Sequence, residues 1–154
     1  MIYSRSSEYA FRALTHLATQ PAGSYSMVKD IARTEEIPTH FLAKILQQLA
    51  RKGVLRSSKG PSGGFALRRP PRAVSLLEII DALEGTASYH QCAVGLAECS
   101  DTMPCPMHDS WKLLRERILN YLAGNTVADL AVALEVKKKS LARSRKPKGR
   151  KKRV

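Results

Sequence analysis

The chain has 154 residues, room for one cored domain but not comfortably two, and it contains no apolar run of about eighteen residues, so no membrane-spanning helix is expected. No charged stretch followed by an apolar block opens it, so a secretory signal is not expected either; in a reducing cytoplasm its three cysteines argue for metal or redox chemistry and against a disulfide framework. The net charge of +13 is concentrated: residues 137–154 hold eleven Lys or Arg and no acid, leaving about +2 for the first 136 residues.

Helical spacing of Phe11, Leu14, Leu17 and Ala18 predicts a first helix from Ser4 to Gln20, ended by Pro21 and Gly23. Ser26 is a candidate cap for a short second helix with Val28, Ile31 and Ala32. After the Glu35-Glu36-Ile37 turn, Pro38 suits the first position of a third helix, where its missing N–H costs nothing. Phe41, Leu42, Ile45, Leu46, Leu49 and Ala50 form its apolar face, and Gly53 its left-handed stop. Two short apolar runs, Val54-Leu55-Arg56 and Phe65-Ala66-Leu67, flank a Gly/Pro/Ser tip and predict a β-hairpin. The tip is not a phosphate loop, because no Lys-Ser or Lys-Thr follows Gly64 and no helix follows the glycines; Gly60, Gly63 and Gly64 are read as turn residues needing positive φ. Ser75-x-x-Glu78 is a capping box for a helix carrying Leu76, Ile79, Ile80 and Leu83. From Pro106 a long amphipathic helix carries Trp111, Leu114, Ile118, Tyr121 and Leu122 to Gly124-Asn125. A last short helix starts at Thr126, with Asp129 completing a weaker capping pattern. The basic stretch beyond it, with Pro147 and Gly149 and little apolar content, is expected to be disordered and to serve as a phosphate-attracting or a solubilising tail.

Helix, short helix, turn, polar-faced helix and hairpin in that order predict a mainly α fold with a small β wing, a winged helix-turn-helix. On its third helix Thr39, His40, Lys44, Gln47, Gln48 and Arg51 lie away from the apolar face; Gln suits adenine, and Lys suits guanine acceptors or phosphate. Lys59 and Gly60 at the hairpin tip are candidates for a minor-groove or backbone contact. Arg5, Tyr9 and Arg12 in the first helix are candidates for phosphate contacts, Tyr9 serving equally well as core. His16 and His40 are read as surface residues of their helices.

Cys92, Cys99 and Cys105 all lie in one loop, with gaps of six and five residues, and His108 follows two residues later. Thiolates are soft donors to iron, and histidine can replace cysteine on a cluster. Three Cys and one His also make an ordinary tetrahedral zinc set, and three clustered thiols can act as a metal-free redox switch. No substrate-processing constellation accompanies them, so an enzyme is not expected.

The chain resembles the IscR/NsrR superfamily of bacterial winged-helix iron–sulfur transcription regulators over about residues 1–135. The likeness rests on Glu8-Tyr9-Ala10, the helix from Phe41-Leu42 to Lys52-Gly53, the wing Lys59-Gly60-Pro61-Ser62-Gly63-Gly64-Phe65, and the three-cysteine loop before a long helix. The resemblance implies a homodimer, packed through the long helix, that reads pseudo-palindromic sites in double-stranded DNA. It also implies a 4Fe-4S or 2Fe-2S cluster on Cys92, Cys99 and Cys105, sensing nitric oxide, redox state or iron–sulfur supply. Many members have five residues in both cysteine gaps, so the six between Cys92 and Cys99 leave cluster type open. Two fourth ligands are implied by different branches: Glu8 of the partner subunit and His108. From its place two residues before Cys92, His90 is a weaker third candidate. The expected organisation is a DNA-binding domain over 1–84, a cysteine loop over 85–105, a dimerisation helix and short C-terminal helix over 106–135, and a disordered basic tail over 136–154.

Overall fold

The computed structural model of the chain describes residues 2–97 and 99–144. Within them the order is α1 (Arg5–Ala18), α2 (Val28–Glu35), α3 (Thr39–Arg51), β1 (Leu55–Ser58), β2 (Gly64–Leu67), α4 (Leu76–Glu84), α5 (His108–Gly124) and α6 (Val127–Ser144), with 3₁₀ turns at Pro71–Ala73 and Ala87–His90. The fold is mainly α with a two-stranded antiparallel wing.

Ser4 caps α1, its hydroxyl accepting the Ser7 N–H at 3.3 Å. Ala10, Phe11, Ala13, Leu14 and Leu17 are buried, and α2, α3, α4, α6 and β2 all pack on this helix, making it the hub of the core. Ser26 does not cap α2. It exchanges two backbone hydrogen bonds of 2.9 Å with Phe65 of the wing, and Met27 takes the cap position without a side-chain bond. That pairing holds Ser26 extended, one residue too early to serve the helix.

The α2–α3 turn passes through Glu36 in the left-handed region (φ 53°), and Ile37 is buried beneath it. After α3, Gly53 at φ 80° lets its own N–H reach the Ala50 carbonyl and the Val54 N–H reach that of Leu49, at 3.1 and 3.0 Å. This is a Schellman stop, with Val54 and Leu49 buried beside it. The wing pairs Leu55 with Leu67 and Ser58 with Gly64. Of the wing glycines, Gly60 and Gly64 have positive φ, whereas Gly63 does not. Gly63 is needed for close approach instead: a Cβ there would sit 2.4 Å from the Ser58 carbonyl oxygen.

Only half of the expected capping box forms at α4. The Ser75 hydroxyl accepts the Glu78 N–H at 3.2 Å, but the Glu78 carboxylate is taken by Arg69. The Thr126–Asp129 pattern forms both ways: Asp129 accepts the Thr126 N–H and hydroxyl at 2.8 and 2.7 Å, and the Thr126 hydroxyl accepts the Asp129 N–H at 3.3 Å. Leu122 and Val127 are fully buried, and the Leu76–Asn125 and Val127–Val74 backbone bonds seat the α5–α6 corner on α4.

α6 is longer than the short helix expected and runs nine residues into the stretch expected to be disordered, to Ser144. Lys, Leu, Ala and Arg, all strong helix formers, supply six of those nine residues, and Lys139 pairs one turn back with Glu135 at 3.4 Å. The remainder of the basic tail, 145–154, lies outside the described residues.

Candidate functional site

The third helix turns Leu42, Ile45, Leu46 and Leu49 into the core and leaves Thr39, His40, Lys44, Gln47 and Arg51 exposed. Phe41, expected on the apolar face, is half exposed and meets His40 edge-on at 5.5 Å. It sits about a quarter turn round from the core stripe. Gln48 lies on that same edge but faces inward: its amide donates to the Ala82 and Leu83 carbonyls at the end of α4, both at 3.0 Å. It therefore satisfies helix-end acceptors and is not turned to a groove, a correction to its reading as a base-contacting residue. Gln47 and Arg51, with Ala50, Ser57 and Phe65, line an open concavity of about 380 Å³ between the helix and the wing. Lys59 and Gly60 are exposed at the tip of that wing.

At the start of α1, Arg5 is exposed and Tyr9 is partly buried against the core. Arg12 is not simply a surface cation, because it lies 3.8 Å from the buried Glu35 carboxylate. His16, expected on the surface, is half-buried on the other side of the same carboxylate at 3.6 Å.

The cysteine loop begins at the end of α4 and is tied down at several points. The Tyr89 hydroxyl donates to the Ile2 carbonyl, the Trp111 indole N–H donates to the Gln91 carbonyl at 2.9 Å, and Glu84 accepts the Ser4 N–H and Ser7 hydroxyl at 3.1 and 2.8 Å. All three cysteines are half-buried and unbridged. Backbone N–H groups of Val94 and Leu96, with smaller help from Gly95 and the Cys99 side chain, hold the Cys92 thiol below its ordinary pKa. Cys99 Sγ lies 3.2 Å from His108 Nδ1, and the His108 N–H bonds back to the Cys105 carbonyl at 2.9 Å.

His108 does not face solvent. It is 4% exposed in the first turn of α5, with Nε2 2.7 Å from Asp101 Oδ1. Asp101 also receives the Lys112 ammonium at 2.9 and 3.2 Å; Lys112 first and His108 second hold its carboxyl below the usual range, and Asp101 raises Lys112 in turn. Sequence reasoning misses both Asp101 and Lys112. The one readable signal is the spacing of His108 and Lys112, one helical turn.

Cys99 and Asp101 approach opposite nitrogens of one ring and cannot share one ion. Among the described residues no three His, Cys, Asp or Glu side chains converge on a single metal position. The donors fit an iron–sulfur group in kind: soft thiols, an imidazole, and backbone N–H groups directed at a sulfur. Glu8 is half-buried in α1, and no hydrogen bond or ion pair of its carboxylate occurs among the described residues. His90 ends the 3₁₀ turn and is exposed.

Residues 3–133 match the Rrf2 family, described as iron-dependent transcriptional regulators. The chain is 35% identical over 132 residues to a protein of Aquifex aeolicus assigned to the HTH-type transcriptional regulators, covering 84% of this chain and 91% of that one. A similarly assigned protein of Mycobacterium tuberculosis is 33% identical over 133 residues, covering 85% and 81%. Among solved structures, CymR, the global cysteine regulator of B. subtilis, matches with a TM-score of 0.72 at 25% identity, over 84% of this chain and 95% of that one. T. potens IscR shares the fold, with a TM-score of 0.66 at 22% identity over 95% and 92%. With its helix-turn-helix, its wing and a match over most of its length, the chain belongs to the Rrf2 family of DNA-binding transcriptional regulators, which are not enzymes.

Proposed function

We propose that the protein is a homodimeric transcription regulator that senses nitric oxide, redox state or iron–sulfur supply through a cluster held by Cys92, Cys99 and Cys105. The observation that carries this reading is the assembly of Cys92, Cys99 and the buried His108 at the foot of α5. When bound, an iron–sulfur cluster supplies a redox-active centre that reacts with small oxidants and nitric oxide. The chain's own residues hold it and carry the loop's position to the DNA-binding face. Two routes are available. Glu84, at the loop's entry, grips Ser4 and Ser7 beside Arg5, and the α4 carbonyls at the same place grip Gln48 of α3. His108 is supported as fourth ligand by its contact with Cys99; the partner subunit's Glu8 is the rival.

A pair of recognition helices requires a dimer. The stripe Leu114, Ile118 and Tyr121 on α5, with Leu114 and Tyr121 at least half exposed, supports packing of that helix between subunits on pseudo-palindromic double-stranded DNA. The reading is tested by anaerobic purification, a visible absorption spectrum, and iron, sulfide and zinc assays on one sample. Broad visible absorption with stoichiometric iron and sulfide is expected, with the cluster lost in either His108→Ala or Glu8→Ala. A colourless protein with one zinc per chain would instead make the loop a structural Cys3His site. Equal operator affinity with and without cluster would remove the sensing role.

A metal-free thiol switch is favoured by one observation, the hydrogen-bonded Cys92–Cys99 pair with its lowered Cys92 pKa. Hydrogen peroxide would take two electrons and two protons from the pair, forming a disulfide and two waters. Peroxide-dependent loss of operator affinity in the presence of chelator, abolished in Cys92→Ser, is the outcome that reading requires.

A further inference from the structure

We infer that Asp101, itself held by Lys112, is a positioning residue that fixes the His108 ring as its Nε2–H tautomer and so presents Nδ1 as the free donor toward the cysteine loop. Each ring nitrogen has one protein neighbour, and the two neighbours decide where the proton sits. His108 is 4% exposed, so its ring nitrogens are served by protein groups and not by bulk water. Nε2 lies 2.7 Å from Asp101 Oδ1, and an ionised carboxylate only accepts, so the proton is on Nε2. In the neutral ring Nδ1 is then an unprotonated lone pair, and it is the atom that faces Cys99 Sγ at 3.2 Å. Reversing the tautomer would set two lone pairs against each other at Asp101.

The Asp101 side chain is 71% exposed, so burial does not hold it. Lys112 does, bonding both carboxylate oxygens from one turn further along the helix that carries His108. The three residues form one unit on the start of α5: ring, orienting carboxylate and anchoring ammonium. A histidine oriented from its far nitrogen in this way is a better and more rigid donor to a metal centre. That consequence rests on the proposed role of the cysteine loop; the tautomer itself does not.

Full-length protein labelled with ¹⁵N-histidine, at a pH above the histidine range, gives the tautomer from long-range ¹H–¹⁵N correlations before any cluster is loaded. An Nε2–H ring is expected in the wild type, a mixed ring in Asp101→Ala, and recovery in Asp101→Asn, which keeps an acceptor oxygen. Lys112→Met should act in the direction of Asp101→Ala. After anaerobic reconstitution, Asp101→Ala should lose its visible absorption in air roughly tenfold faster than wild type. A wild-type ring protonated on Nδ1, or a tautomer unmoved in Asp101→Ala, would overturn the inference. If no variant or wild type takes up iron and sulfide, the cluster reading fails, while the tautomer measurement still decides the role of Asp101.

Discussion

Gln47 and Gln48 are adjacent, chemically identical, and do different work. Gln47 opens onto the space between α3 and the wing, whereas Gln48 is spent on the α4 carbonyls. Gln47→Ala should therefore weaken operator binding and relax discrimination at one base pair by about 1–3 kcal/mol, in competition assays across operator variants. Gln48→Ala should leave base preference alone and lower unfolding free energy by about 1 kcal/mol in a denaturant titration. Gly64 is a second position where the local environment decides. A Cβ there would sit 2.1 Å from the Ser26 carbonyl oxygen, at φ 144°, so Gly64→Ala should cost on the order of 2–4 kcal/mol and detach the wing from Ser26. Periodicity made Leu42, Ile45, Leu46 and Leu49 legible as core, because a buried stripe repeats with the helix. It could not place Phe41 or Gln48, which lie at the edge of that stripe, where the neighbouring element and not the pattern assigns the side chain. Spacing from Cys105 made His108 a candidate donor, but its burial and its contact with Asp101 were not legible, since they depend on how the cysteine loop folds back on α5.

Helices α1, α4 and α6 start on side-chain caps, and two of these can be tested singly. Ser75→Ala removes the hydroxyl that accepts the Glu78 N–H and should destabilise the protein by about 1 kcal/mol, read as a lower unfolding midpoint. The corresponding lock on α6 depends on pH. Asp129 is held below the ordinary carboxylate range by hydrogen bonds from Thr126, so its contribution is complete above the unfolded-chain value and vanishes as pH falls through the lower folded value. The stability difference between wild type and Asp129→Asn should thus be present at neutral pH and close on acidification, followed by thermal unfolding at several pH values. α6 also shows how composition misleads at this scale. Dense positive charge reads as a disordered tail, yet up to Ser144 the same residues are good helix formers continuing an ordered, capped helix.

For the molecule as a whole, charge and apolar surface are segregated. Leu113, Leu114 and Tyr121 are exposed on α5, while the basic excess lies beyond Val136. Leu114→Glu should shift the protein toward monomer in sedimentation without unfolding it, and operator affinity should fall with it. Removing residues 145–154 should lower nonspecific DNA affinity and flatten its salt dependence, by roughly 0.9 in log–log slope for each phosphate that the shortened chain leaves unneutralised. The bond from the Trp111 indole to the Gln91 carbonyl has a use of its own, because Trp111 is the sole tryptophan of the chain and Gln91 immediately precedes Cys92. Its fluorescence is a native optical probe of the loop: emission that shifts when oxidant or operator is added reports, without any label, that the indole no longer has the same carbonyl partner.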